Sequence, residues 1–411
     1  AYRPLEVETF DGETLKTSGP HFGASSVKRF DGHGRLVTAF VRNAPGRKTM
    51  TYAPTGEVET IMEWLGTDAS PSEPLVRRFL YDTLGRRTAS IESTGAAWTY
   101  AYNDAGQLVG TSDPRGCGKN IAYDAGGRPV AEDYSPCEAH HPLYSEPNLE
   151  SGDGTEHFVV YDALPSSLRG IFSAETFDTG VSLGMPVATA DRGTLRVLAH
   201  DLRGRVTRVL TRIVRPGAPR EALSDRYTAN VFEKSYTFDD QNRPIRETTG
   251  AQSPELRPDG GSFIERSYTA RGLLRTLGSS YGPLITRTAY RPDGLMTDTE
   301  YGDAARTTTT LQYDPQRAVS DEYVYRAAAP QWSAPGSVAS QADEPTRQLA
   351  LTANFYEYDL AHNPIGVADM RPAEEWPAGA KPVDLQHSYD NLYRLTKTEF
   401  RYRNSSSSWV S

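Results

Sequence analysis

The chain has 411 residues, of which 37% are hydrophobic and 24% charged, and its formal net charge is −9. This is too apolar for a disordered chain, and the acidic balance excludes a binder that relies on a basic face for nucleic-acid phosphates. No apolar run in the sequence approaches the roughly 18 residues of a membrane-spanning helix, so direct membrane insertion is not expected.

The 23 Tyr, 35 Gly and 28 Pro favour strands and turns over helices. The opening Ala1-Tyr2-Arg3-Pro4 lacks an initiator Met and a basic-then-apolar leader pattern. The chain is therefore expected to begin inside a longer precursor, with any export signal outside it. Residues 1–24 read as a lead-in strand and loop.

From about residue 25 one frame dominates, in the order aromatic, Asp, two variable residues, Gly, Arg, apolar. It begins at Phe30-Asp31-Gly32-His33-Gly34-Arg35-Leu36 and, after a weaker copy at Tyr52, returns as Tyr81-Asp82-Thr83-Leu84-Gly85-Arg86-Arg87. Tyr102-Asn103-Asp104-Ala105-Gly106-Gln107-Leu108 and Tyr123-Asp124-Ala125-Gly126-Gly127-Arg128 follow. Beyond a weak copy at Tyr161 come His200-Asp201-Leu202-Arg203-Gly204-Arg205-Val206 and Phe238-Asp239-Asp240-Gln241-Asn242-Arg243. Weaker copies start at Tyr268, Tyr290, Tyr313, Tyr358 and Tyr389, the last including Asp390. That makes thirteen anchors, and the shortest gaps, 21 to 23 residues, define the unit. Longer gaps read as loop insertions, at about 131–160, 211–230 and 327–350 within an array spanning 25–400; residues 401–411 read as a frayed tail.

Each position has a physical reason. The aromatic ends a strand and packs on a pleated face. The acid (Asp31, Asp82, Asp124, Asp201, Asp239, Asp390) caps a turn by accepting from amides just ahead of it. Gly34, Gly85, Gly106, Gly127 and Gly204 supply the left-handed residue of a hairpin turn with a bulge. Asn242 and His362 take that position in two copies and tolerate it better than most residues. The apolar residue then starts the return strand, and Trp98, Tyr100 and Tyr102 alternate with Thr99 and Ala101 as a strand requires. Further turn signals lie between anchors at Ser93-Thr94-Gly95, Asp113-Pro114-Arg115-Gly116 and Thr248-Thr249-Gly250.

The expected fold is all-β, a tandem array of hairpins. Thirteen hairpins imply about 26 strands, and at about 4.8 Å apart they make a ribbon on the order of 125 Å long. An open sheet of that width must curl. Closed once, its radius would be about 20 Å, enough to girdle a small protein but not to enclose it. A curved, spiralling sheet that is part or all of a hollow shell follows.

The frame, repeated thirteen times, resembles the Rhs/YD-repeat family, which includes bacterial Rhs polymorphic toxins, the B and C components of Tc insecticidal toxin complexes, and the animal teneurins. The resemblance extends from about residue 25 to 400. Tyr389-Asp390-Asn391-Leu392-Tyr393-Arg394-Leu395-Thr396 is similar to a stretch of the Tc-type proteins. The resemblance implies an exported bacterial protein whose repeats form a hollow β-shell around a cytotoxic C-terminal domain. Its expected partners are that protein cargo and the rest of the shell or toxin complex. An extracellular adhesion or carbohydrate-binding scaffold, as in teneurins, is the alternative. The sequence departs from the family in showing no toxin domain and no C-terminal Asp-Pro-x-Gly self-cleavage motif; its one Asp-Pro-x-Gly, at Asp113–Gly116, lies inside the array and reads as a turn.

No catalytic, cofactor or metal site is expected. The recurring acids could be paired as in glycosidases, but their constant place after the aromatic fits turn capping. Motifs for a nucleophile elbow, a zinc protease or a phosphate loop are missing from the sequence. Three readings stay open for Cys117 and Cys137: a disulfide, two buried thiols, or a metal site with His140, His141 and His157, whose spacing is not that of a zinc motif. The recurring Arg is expected to pair with the Asp of a neighbouring unit.

Overall fold

In the computed structural model, the structure describes residues 5–66, 73–135, 137, 148, 152, 156–172, 177–218, 223–257, 261–326, 350–371, 383–403 and 409–410. The chain divides into two compact units. Unit 1 holds residues 1–50, 62–74 and 265–411; unit 2 holds residues 51–61 and 75–264. Both are built almost wholly of antiparallel strands, 28 among the described residues, and helix is confined to short turns.

The hairpin Leu75–Tyr81/Arg87–Ile91 shows how the frame becomes structure. Tyr81 is opposite Arg87 while Leu80 is opposite Ala89, so Thr88 is bulged out. The Asp82 amide donates to the Arg86 carbonyl (2.9 Å) and the Gly85 amide to the Asp82 carbonyl (3.0 Å). That closure needs a left-handed residue at Gly85, where φ is +76°. Twelve of the thirteen anchors close the same pair of backbone bonds. The left-handed position is filled by Asn242, Arg317, His362 and Tyr393 in four of them.

The exception is Tyr161, and it is a split turn. The Asp162 amide donates to the Met185 carbonyl (3.0 Å), and Asp162 Oδ1 accepts from the Gly184 amide (2.6 Å). The frame is thus completed by Gly184 and Met185 after an excursion. The excursion contains the helix Ser166–Ile171 and returns as the strand Pro186–Asp191, paired with His157–Tyr161 and with Thr194–His200.

This excursion gives unit 2 its core. Leu164, Leu168 and Phe172 pack with Phe158, Phe177, Val187, Leu195, Val197, Leu210, Leu223 and Tyr227, all buried. The long gap between anchors 161 and 200 is therefore not a loop: it lays a second layer over one sheet face, the usual way a sheet buries its apolar side. In unit 1, by contrast, the buried hydrophobics are Ala24, Val27, Ala305, Ala350 and Ala353 among the described residues. Most of its strand residues are half-buried, so its cohesion runs from hairpin to hairpin within the sheet.

Three expected insertions contain array strands at their edges. Pro129–Ser135 and His157–Tyr161 pair with each other across the first. Val206–Ile213 runs into the second, where Leu223 and Tyr227 join the core. Of the third, residues 327–349 lie outside the described residues. In the expected tail, Leu395–Arg403 is one continuous strand, and Trp409–Val410 pairs with its end. The lead-in carries a strand, Leu5–Thr9, paired with Ser26–Phe30, and a capped helical turn, α1, at Gly12–Leu15.

Candidate functional site: a ladder of stapled turns

The side chains singled out in the frame converge at the turns. Asp82 Oδ1 accepts from the Leu84 amide (3.0 Å) and the Arg86 amide (2.9 Å), and its Oδ2 accepts from Arg86 Nε (2.6 Å). Asp31, Asp124, Asp201, Asp239 and Asp390 repeat this arrangement with Arg35, Arg128, Arg205, Arg243 and Arg394, at Nε–Oδ2 distances of 2.8, 2.6, 2.7, 2.6 and 2.7 Å. Asn103 with Gln107 and Asp359 with Asn363 are the amide versions. Gly34, Gly85, Gly106, Gly127 and Gly204 all have positive φ.

This corrects the expected pairing of the repeated Arg. Each binds the acid of its own turn, four residues back, because the closed turn holds amide, guanidinium and carboxylate on one side. Arg128 alone of these six also reaches the next unit's acid, Asp162, at 2.8 Å, among the described residues. The link to the next unit is made instead by stacking and by backbone contacts. The Arg86 guanidinium lies 4.8 Å from the centre of the Tyr102 ring, Arg128 4.4 Å from Tyr161, and Arg205 4.6 Å from Phe238. Arg86 also donates to the Asn103 carbonyl (3.3 Å) and Arg205 to the Asp239 carbonyl (3.4 Å) in the following turn.

A second staple explains why the anchor is usually Tyr and not Phe. Tyr81, Tyr102, Tyr123 and Tyr161 in unit 2 donate their hydroxyls to the carbonyls of Val58, Arg87, Leu108 and Pro129. In unit 1, Tyr290, Tyr313, Tyr358 and Tyr389 donate to Leu274, Met296, Val319 and Pro364. In every case the acceptor is the first residue of the previous frame's return strand. Each such bond contributes about 1 kcal/mol, and a stacked cation about 0.5–1 kcal/mol at an exposed site. The register of one hairpin is thereby fixed by its predecessor. This ladder was not read from the sequence, although the excess of Tyr over Phe was its trace.

The turn carboxylates are held below their ordinary range. The chief cause is the backbone amide of the turn arginine for Asp31, Asp124, Asp239 and Asp390, and the Arg205 side chain for Asp201. A carboxylate depressed in the folded state adds stability above its unfolded value, about 3.9, and loses it as pH falls through the folded value. The melting midpoint is therefore expected to be flat between about pH 7 and 5 and to drop below about pH 4. Thermal scans across that range check it; a midpoint that holds or rises below pH 4 would contradict the role of these acids.

Cys117 and Cys137 are joined by a disulfide, with Cα atoms 4.3 Å apart. Asp113 is buried and spends its carboxylate on the Arg115 and Cys117 amides (2.8 and 3.0 Å) and on the Arg115 guanidinium. Asp113–Gly116 thus caps an ordinary turn between strands Leu108–Ser112 and Gly118–Tyr123. His140 and His141 lie outside the described residues. Among the described residues no cluster of His, Cys, Asp and Glu is placed to hold a metal ion, and no helix is long and apolar enough to cross a membrane.

Residues 81–116 match the family model described as RHS Repeat. No curated protein matches the chain at a significant level. Among solved structures, the crystal structure of TcdB2-TccC3 aligns with a TM-score of 0.56 at 14% identity, covering 91% of this chain and 20% of that one. TcdB2-TccC3 without its hypervariable C-terminal region gives 0.56 at 14% identity, covering 91% and 19%. A Photorhabdus luminescens Tc holotoxin pore gives 0.52 at 13% identity, covering 92% and 21%. The chain thus shares their fold and spans about a fifth of their length.

Proposed function

We propose, on the premise that this is an Rhs/YD-repeat protein, that the chain is wall material of an exported bacterial toxin complex, and that the wall sequesters a cytotoxic protein domain. Its role in this reading is structural and not catalytic. The observation that carries it is the stapled ladder. At eight anchors a Tyr hydroxyl locks the hairpin to its predecessor, and at three in unit 2 the preceding turn's Arg stacks on the anchor ring. Such locking lets a thin sheet extend repeat by repeat where, as among the described residues of unit 1, few large apolar side chains are buried. The shared fold with TcdB2-TccC3 over 91% of this chain supports the same reading. Cargo and the remainder of the shell are its partners here.

The adhesion or carbohydrate-binding reading has less support. In the cleft formed by residues 40–47 with Trp64, the rings that a sugar would stack on are already covered. Arg29 and Arg42 lie over Phe40, and Arg47 lies 5.3 Å from the centre of Trp64.

Small-angle scattering of the chain tests the wall. A radius of gyration well above the roughly 22 Å of a solid globule of this length is expected. A cytotoxic domain joined to the end of the repeats should resist protease until the repeats unfold. A solid globule together with a freely digested following domain would overturn the proposal.

A further inference from the structure

Two of the repeat turns in unit 1 differ from the others, and the same distant segment sits on both. Asp11 caps α1, accepting from the Thr14 amide (2.9 Å) while its own amide donates to Thr14 Oγ1 (2.8 Å). The capped turn rests on the turn that follows Tyr358. There the Leu360 amide donates to Glu13 Oε1 at 3.0 Å, and Glu13 is 2% exposed. Gly12 touches Leu360 so closely that an added Cβ would lie 2.6 Å from Leu360 Cβ and 2.8 Å from its carbonyl oxygen.

The same segment meets the turn that follows Tyr389. Tyr393 donates its hydroxyl to Asp11 Oδ2 (2.7 Å). His21, buried, has Nδ1 3.0 Å from Asn391 Oδ1 and its ring edge-on to Tyr393, with centroids 5.2 Å apart. Asn391 Nδ2 donates to the Asn43 carbonyl (2.7 Å). The partners in these contacts are 347 to 382 residues apart in sequence.

Tyr393 is the telling residue. It occupies the left-handed position that most copies give to Gly, at φ +56°, an unfavourable backbone state for a bulky side chain. Its own turn does not use the ring, because Asp390 and Arg394 close that turn as elsewhere. The ring and hydroxyl serve Asp11 and His21. Burial, and then the carboxylate it donates to, hold the phenol above its ordinary value, so it remains a donor.

We infer that the turns 358–363 and 389–394 form an intramolecular docking site whose ligand is this chain's own segment Phe10–Gly23. The site takes a helical turn with a carboxylate at the cap, a residue without a side chain at the first helical position and an acid at the second. The substitution of Gly by Tyr393 serves that recognition and not the turn. The docking clasps the beginning of the array to its end within unit 1. It does not depend on the shell reading, since it concerns only contacts inside one unit.

The test is hydrogen exchange, read by mass spectrometry on the full chain, with melting midpoints alongside. If Tyr393 were only a turn residue, Tyr393→Gly would suit φ +56° better, raise the midpoint and leave residues 12–23 unchanged. The docking site makes the opposite outcome the expected one. Amides of residues 12–23 should exchange about tenfold faster, the scale of one lost hydrogen bond to a charged group, with no rise in the midpoint. Gly12→Val should produce the same acceleration from the other side of the contact, with the turn at 389–394 intact. Tyr393→Phe keeps the ring and the backbone strain and should give a smaller acceleration in the same residues; it decides the matter should Gly12→Val fail to fold. Unchanged exchange at residues 12–23 in Tyr393→Gly and Tyr393→Phe would overturn the inference.

Discussion

Replacing Phe158 by Ala is expected to destabilise unit 2 by about 3–5 kcal/mol, the range for truncating a buried Phe. Phe158, on the strand His157–Tyr161, is fully buried in the cluster to which the excursion after Tyr161 contributes Leu164, Leu168 and Phe172. Leu168, on the helix Ser166–Ile171, is equally buried in the same cluster, so Leu168→Ala should cost about 2–5 kcal/mol. Leu202, 90% exposed in a turn of the same unit, supplies the control, and its truncation should stay within about 0.5 kcal/mol. Urea unfolding of the three variants reads these differences directly. Should Phe158→Ala and Leu168→Ala behave like the Leu202 control, the segment between anchors 161 and 200 would be a surface loop, and unit 2 would lack the second layer described above.

The second large effect belongs to the disulfide. Cys117 follows the Asp113 turn, and Cys137 lies just beyond the strand Pro129–Ser135. The strands between them pair from Tyr123 opposite Pro129 to Gly118 opposite Ser135. The bridge therefore closes the open end of that hairpin. With a sequence separation of 20 residues, loop-closure entropy gives it about 3 kcal/mol of stabilisation. Reductant should lower the melting midpoint of the native protein, and the double variant Cys117→Ser/Cys137→Ser should start from the lower value and ignore reductant. Thiol titration of unreduced native protein should find none. Two reactive thiols, or equal midpoints with and without reductant, would remove the bridge from the account. A stabilising bridge of this kind suits an oxidising compartment and hence the proposed export.

The hairpins were legible because everything that makes one is contained in about seven consecutive residues. Asp82 needs only the amides of Leu84 and Arg86 and the Arg86 side chain, and Gly85 needs only its own φ. Local chemistry of that kind reads the same wherever the strand is placed. Even the non-glycine occupants Asn242 and His362 could be found this way, while Arg317 and Tyr393 could not, since neither side chain favours the left-handed state. The partner of the repeated Arg was misjudged for a related reason. Spacing along the chain does not show that the closed turn brings the guanidinium back onto its own acid before any neighbour is in reach.

What the sequence by itself determined, then, was the repeating unit: aromatic, acid, left-handed residue and return strand, and with it an all-β chain of antiparallel hairpins. Only the tertiary structure decided which residues meet across long separations. Asp162 finishes its turn with Gly184, Leu168 joins the buried cluster of Phe158, and Tyr393 holds Asp11. These contacts depend on where whole strands set their ends, a property of the assembled sheet. Their energies come from burial and satisfied polar groups, which no seven-residue window contains.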